Sequence, residues 1–148
     1  MKVEATLSAV LRANGYPGTR WNTTDYVKLL NPMHLAEYAL RLAYYPNIPL
    51  IAPFSTWSNA QSTQSLLWYH AYNQTKHDRE NHFADATLGN AIAAVCGAVA
   101  LFHAQFGRLE PYATQFYLFA VSGFPTFPVK EYYLWERRDP VRDSRDVT

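Results

Sequence analysis

"LGNAIAAVCGAVALFHAQFG", residues 88–107, is the stretch whose reading decides the fold. From Ala91 to Phe102 it runs through 12 residues without a charge or an amide. A bilayer span needs roughly 20 predominantly apolar residues, and Asn90 and His103 confine the strongly apolar part to less than that. A helix apolar on every side is otherwise the centre of a helical domain. Ala91–Phe102 is therefore expected to be the most buried segment, with no membrane partner. Asp85 or Thr87 can cap its start, and Gly107 ends it.

Upstream, residues 62–79 read as a second long helix. The short connection between the two favours antiparallel neighbours. Residues 3–13 form a helix closed by Asn14-Gly15, and "GYPGTRWNTT" is a loop rich in breakers. Asn31-Pro32 is a good helix start. Met33, Leu35, Ala36, Ala39, Leu40 and Ala43 follow at helical spacing up to Pro46. "YPNIPLIAPFSTW" is extended by its prolines, and its apolar residues pack across the body. Glu110-Pro111 opens a further helix over "YATQFYLFAVSG", and "FPTFPVKEYYLW" is a short strand or strap.

The expected fold class is all-α: an antiparallel bundle of four to five helices with Pro-rich irregular connections. Residues 1–136 form one domain, and residues 137–148 are a polar tail. Counted from Glu136, four arginines are matched by four acidic residues, so the tail is not a basic arm.

Composition fits such a domain. Hydrophobic residues make up 49% and charged residues 17%, the latter below the roughly 25% of an average domain. A formal net charge of +1 exerts no long-range pull on nucleic acid or anionic lipid, so such binding needs a local patch. The single cysteine, Cys96, lies in the apolar run and reads as a core residue. It excludes an internal disulfide and favours a reducing, cytoplasmic setting.

The polar counterpart of the apolar run is "AYNQTKHDRENHF", residues 71–83. Residues three and four apart share a helix face. Tyr69, Tyr72, Lys76 and Arg79 then line one side, with His70, Asn73, His77 and Glu80 on the adjoining stripe. One reading is structural: rings pack, Lys and Arg stems cover them, and the amide and histidines bond neighbouring helices. The other is a binding patch of Tyr72, Asn73, Lys76, His77, Arg79 and His82, in which cations beside aromatic rings suit phosphate contact and base stacking.

Over residues 50–105, "WYHAYNQTKHDRENHFADATLGNAIAAVCGAVAL" with the upstream "PLIAPFSTW" resembles the central helix pair of HEPN-like helical proteins. A Tyr-Asn, then a Lys-His and a nearby Arg, precede a Phe and a helix of small apolar residues. The resemblance implies a helical bundle that dimerises and, in many members, binds and cleaves RNA without a metal. The cleaving members carry an Arg, four to six intervening residues and a His on one helix. None of His34, His70, His77, His82 and His103 has an arginine at that distance upstream, and Arg79 and His82 are two residues too close. The resemblance therefore implies a non-catalytic module, with no catalytic residue, that dimerises and binds RNA, a nucleotide or a protein partner. The alternative is a divergent ribonuclease of toxin or defence type using His77, Arg79 and His82.

Other chemistry is thinly supported. His34 and Glu37 form a Glu-x-x-His motif in reverse order, and it occurs once, whereas a di-metal bundle needs two such motifs and two more carboxylates. His70 with His77, or His77 with His82, lacks the further ligands of a zinc site. There is no Gly-rich phosphate loop and no Ser-centred elbow. No metal and no cofactor are expected.

Overall fold

Val3, Leu7 and Leu11 recur four apart in the first helix, α1 (Lys2–Ala13), and they are the residues that it buries. A computed structural model describes residues 2–107 and 118–125 of the chain. Gly15, at φ +67°, follows α1 in the left-handed conformation that a stop signal requires. A short helix α2 (Thr23–Tyr26) then begins at Asn22. The Asn22 side chain accepts the Thr24 N–H, while Asp25 reaches back to the Asn22 N–H.

The helix expected from Pro32 does not form. His34 adopts φ 50°, leaving one helical turn at Leu35–Glu37 before the chain extends into β1 (Ala39–Leu42). The reason is period. Leu40 and Leu42 are buried and Arg41 is exposed, an alternation of two that only a strand can satisfy. The helical reading leaned on alanines, whose small side chains report burial weakly.

The strand β2 (Phe119–Gly123) pairs antiparallel with β1, with Leu40 opposite Val121 and Leu42 opposite Phe119. This corrects the helix expected to run through residues 119–123. Its earlier part, residues 108–117, lies outside the described residues, as do residues 126–148 with the polar tail. On the other side of β1, Leu40 and Ile51 exchange both backbone hydrogen bonds at 2.9 Å.

The long helix expected over residues 62–79 is shorter: α3 (Leu67–His77). Serines and threonines before it bond the backbone in competition with a helix. The Thr56 hydroxyl donates to the Ser65 carbonyl, and the Ser65 hydroxyl accepts the Ser58 N–H. After His77 the chain breaks at Asp78, at φ −144° and ψ 77°, and α4 (Arg79–His82) starts anew. Asp78 caps that turn by accepting from the Asn81 N–H.

The apolar run forms α5 (Leu88–Phe106), capped by Thr87 and ended by Gly107 at φ +69°. Trp68, near the start of α3, touches Gly97, whereas Thr75, near its end, shares a pocket with Thr87 and Asn90. The pair therefore runs antiparallel. Burial corrects the expectation for Ala91–Phe102: Cys96, Gly97, Val99, Ala100 and Leu101 are buried, while Ala91 and Val95 are exposed. By length and composition α5 could cross a membrane, and about 33% of it is buried within the molecule.

The described architecture is mainly helical, with a small two-stranded sheet. Its core joins Leu35, Leu40, Phe54, Leu66, Cys96 and Leu101, each essentially without exposure. Phe54 and Trp57 come from the Pro-rich segment, which does pack across the body. Phe54 meets Trp57 at 5.5 Å and Trp68 edge-on at 5.9 Å between ring centroids.

Candidate functional site

Helix α3 turns Tyr69, Tyr72 and Lys76 along one side, as the spacing requires. The Tyr69 and Tyr72 rings lie 6.2 Å apart, and the Lys76 ammonium stands 5.8 Å from the centre of the Tyr72 ring. Arg79 does not join them, because the break at Asp78 ends the face on which it was expected. His77 is the exposed last residue of α3, and Arg79 is the exposed first residue of α4.

Tyr69 serves the core. Its hydroxyl donates to Glu4 Oε1 at 2.6 Å and ties α1 to α3. Burial, and then the bond to the Glu4 carboxylate, push this phenol far above its ordinary value. Burial also works against ionisation of Glu4. Hydrogen bonds, that of Tyr69 among them, together with the Lys76 charge outweigh it and hold the carboxyl below its usual range. Asn73 sits beside the same phenol, so its immediate neighbour is the α1–α3 contact.

Beyond Tyr72 lies a pocket of about 210 Å³ between α3 and α5. Trp68 and Tyr72 supply ring walls, and Ala71, Ala91 and Ala94 supply methyl groups that leave space between the helices. Trp68 is fixed by donating Nε1–H to the Pro53 carbonyl at 2.8 Å. Thr75, Asp85, Thr87 and Asn90 form the polar rim. The turn that carries Asp85 is held on both sides: the Asn90 amide donates to the Asp85 carbonyl at 2.8 Å, and His82 Nδ1 lies 3.1 Å from Asp85 Oδ2.

Of the six residues singled out in the sequence, Tyr72 lines the pocket, Lys76 covers Tyr72, and His82 braces the rim through Asp85. Asn73 faces the Tyr69 cluster. His77 and Arg79 stand apart in solvent. Sequence reasoning missed Trp68, Ala71, Asp85, Asn90, Ala91 and Ala94. Opposed alanines on facing helices were the available signal, together with the capping segment "ADATLGN" at the mouth.

Among the described residues no three His, Cys, Asp or Glu side chains gather as a metal site would need. His34 and Glu37 make a simple pair at 2.7 Å on a surface turn. Cys96 is buried, and burial pushes its thiol up to about 11, so it is not poised as a nucleophile. Comparison with protein-family models, curated proteins and solved structures finds no match to this chain. The functional reading therefore rests on the chemistry of the α3–α5 pocket.

Proposed function

We propose that the chain is an HEPN-like helical module that binds RNA or a nucleotide at the α3–α5 pocket, as a homodimer and without cleaving its ligand. One observation carries the proposal: the Lys76 ammonium stands over Tyr72, and Tyr72 is a wall of the pocket. A cation beside an aromatic face at a concave opening suits a phosphate next to a stacked base. The antiparallel α3–α5 pair, joined through the polar turn at residues 78–87, supports the HEPN-like reading. Exposed Tyr44, Tyr45, Ile48 and Leu50, held between prolines in one loop, support self-association. The packing of α5 against α1, α3 and the strands and the unpaired Cys96 favour a cytoplasmic module over a membrane one.

The second reading, a divergent ribonuclease using His77, Arg79 and His82, draws on the His82–Asp85 pair, an imidazole oriented by a carboxylate beside the pocket. The two separate in one assay with labelled single-stranded RNA at low and moderate salt. Binding by the native chain is expected to be modest and to fall steeply with salt. Lys76→Ala combined with Arg79→Ala is expected to weaken it. Undiminished binding by that variant, or no binding by the native chain, overturns the proposal. Cleavage that vanishes with His77→Ala or His82→Ala replaces it with the enzyme reading.

A further inference from the structure

A net charge of +1 leaves the chain without long-range attraction for a polyanion, so RNA binding needs cations gathered in one place. The first 28 residues gather them: Lys2, Arg12, Arg20 and Lys28 against Glu4 and Asp25, an excess larger than that of the whole chain.

The loop between α1 and α2 holds two of these cations over aromatic rings. The Arg12 guanidinium lies 5.7 Å from the centre of the Trp21 ring, and the Lys28 ammonium lies 5.0 Å from that of Tyr16. Both rings are themselves anchored. Trp21 donates Nε1–H to the Pro17 carbonyl at 3.0 Å, and the Tyr16 hydroxyl donates to Asp25 Oδ1 at 3.2 Å. Cations held in this way lose less freedom when they meet a phosphate. Arg20 precedes Trp21 in the same loop, and Arg12, Arg20 and Lys28 are all exposed. Asp25 stands 3.8 Å from Lys28, but among the described residues no carboxylate pairs with Arg12 or Arg20.

This patch is continuous with the α3 face that bears Lys76. Glu4, Ser8 and Arg12 are four apart and share one side of α1. Glu4 accepts from Tyr69 of α3 and feels the Lys76 charge. The Ser8 and Tyr26 hydroxyls meet at 2.8 Å, and the Tyr26 hydroxyl donates to the Trp21 carbonyl at 3.0 Å. From Glu4 to Arg12 the helix rises about 12 Å, a distance that a strand of a few nucleotides covers. Glu4 is the acid along the way, and its carboxylate is engaged by Tyr69.

We infer that Arg12, Arg20 and Lys28 form a second contact surface for single-stranded RNA, taking the phosphate backbone of a strand whose end lies at the α3–α5 pocket. The inference rests on the RNA reading above and adds where the rest of the strand runs. Its contacts are to phosphate, so the surface adds affinity without choosing a sequence.

The test is fluorescence anisotropy of the full chain with labelled RNA strands of about three and about twelve nucleotides. The longer strand is expected to bind about tenfold or more tightly, since it alone reaches both surfaces. Arg12→Gln, Arg20→Gln and Lys28→Gln combined should bring the two lengths to within about threefold of each other. For the longer strand the slope of log affinity against log salt should become shallower by about 2, at roughly 0.7 per phosphate contact. Binding of the short strand should stay in place. Arg20→Glu changes an exposed loop residue without touching either cation–ring contact, and by itself should weaken the longer strand about threefold or more. Equal binding of the two lengths by the native chain, or an equal loss for both in the combined variant, overturns the second surface and leaves the pocket reading standing. An unchanged salt slope in that variant, or undiminished binding by Arg20→Glu, does the same. No binding of either strand by the native chain overturns both.

Discussion

Gly97 lets α3 and α5 come together. A Cβ placed there would stand 3.1 Å from Trp68 Cζ2 and 3.5 Å from Phe54 Cζ. Trp68 cannot swing away without losing its bond to Pro53, and Phe54 has no exposure into which to move. Gly97→Leu is therefore expected to destabilise the fold by about 1–3 kcal/mol through overpacking. The gain of about 1 kcal/mol from removing a helical glycine offsets part of this at most. Urea denaturation measures the difference. In the sequence, the neighbouring Ala98 is as good a candidate for a tight crossing as Gly97. A run of small apolar residues carries no polar position to fix its phase, so the face it buries is not legible.

Three buried acids set the alkaline limit: the Tyr69 phenol already described, and Cys96 and Tyr38. Burial raises the Cys96 thiol to about 11 from 9.0 and the Tyr38 phenol to about 12 from 10.0. Each is neutral in the fold over a range where the unfolded chain ionises. Their stabilising contribution is present in full below the unfolded values and is lost as pH rises through the folded ones. Stability should fall from pH 9 upward, Cys96 acting to about pH 11 and Tyr38 beyond it. In thermal melts across this range, Cys96→Ala should flatten the early part of the decline. An unaltered slope contradicts the assignment to Cys96.

At the scale of elements, caps made α1 and α5 readable. Asn14-Gly15 and Gly107 stop helices where they were expected to, and Thr87 starts α5 with its hydroxyl accepting the Asn90 N–H at 3.1 Å. Thr87→Ala should cost about 1 kcal/mol, seen as a lower midpoint in denaturant with an unchanged slope. The elements that were misread share a cause. Thr56, Ser65 and Asp78 have side chains that bond the backbone locally, which cuts α3 at both ends. β1 was hidden because "ALRL" is short and its partner β2 is far away in sequence. Tertiary pairing, not local preference, selects the strand. The site suffered with the helix: the binding face was drawn through Arg79, and the break at Asp78 removed it.

For the whole molecule, the nine aromatic residues from Tyr112 to Trp135 are more than one face of a small domain hides, a reason in the sequence to expect self-association; of them Phe119 and Phe124 are among the described residues. Phe124 packs edge-on against Tyr38 at 6.1 Å, so it belongs to the body of the molecule. The loop with exposed Tyr44, Tyr45, Ile48 and Leu50 is the surface on which the proposed dimer is tested. Tyr44→Ser with Leu50→Ser is expected to shift sedimentation toward the monomer while leaving the thermal midpoint in place. A native chain that is monomeric at high micromolar concentration removes the dimer from the account.

The central claim is that ligand enters between α3 and α5 beneath Lys76. Amide-resolved NMR of the full chain during titration with single-stranded oligoadenylate tests it most directly. Saturable shifts are expected, concentrated at Ala71, Tyr72, Thr75 and Lys76 on one helix and at Asp85, Asn90 and Ala94 across the pocket. Shifts confined to His77 and Arg79, or a spectrum that does not change, would contradict it.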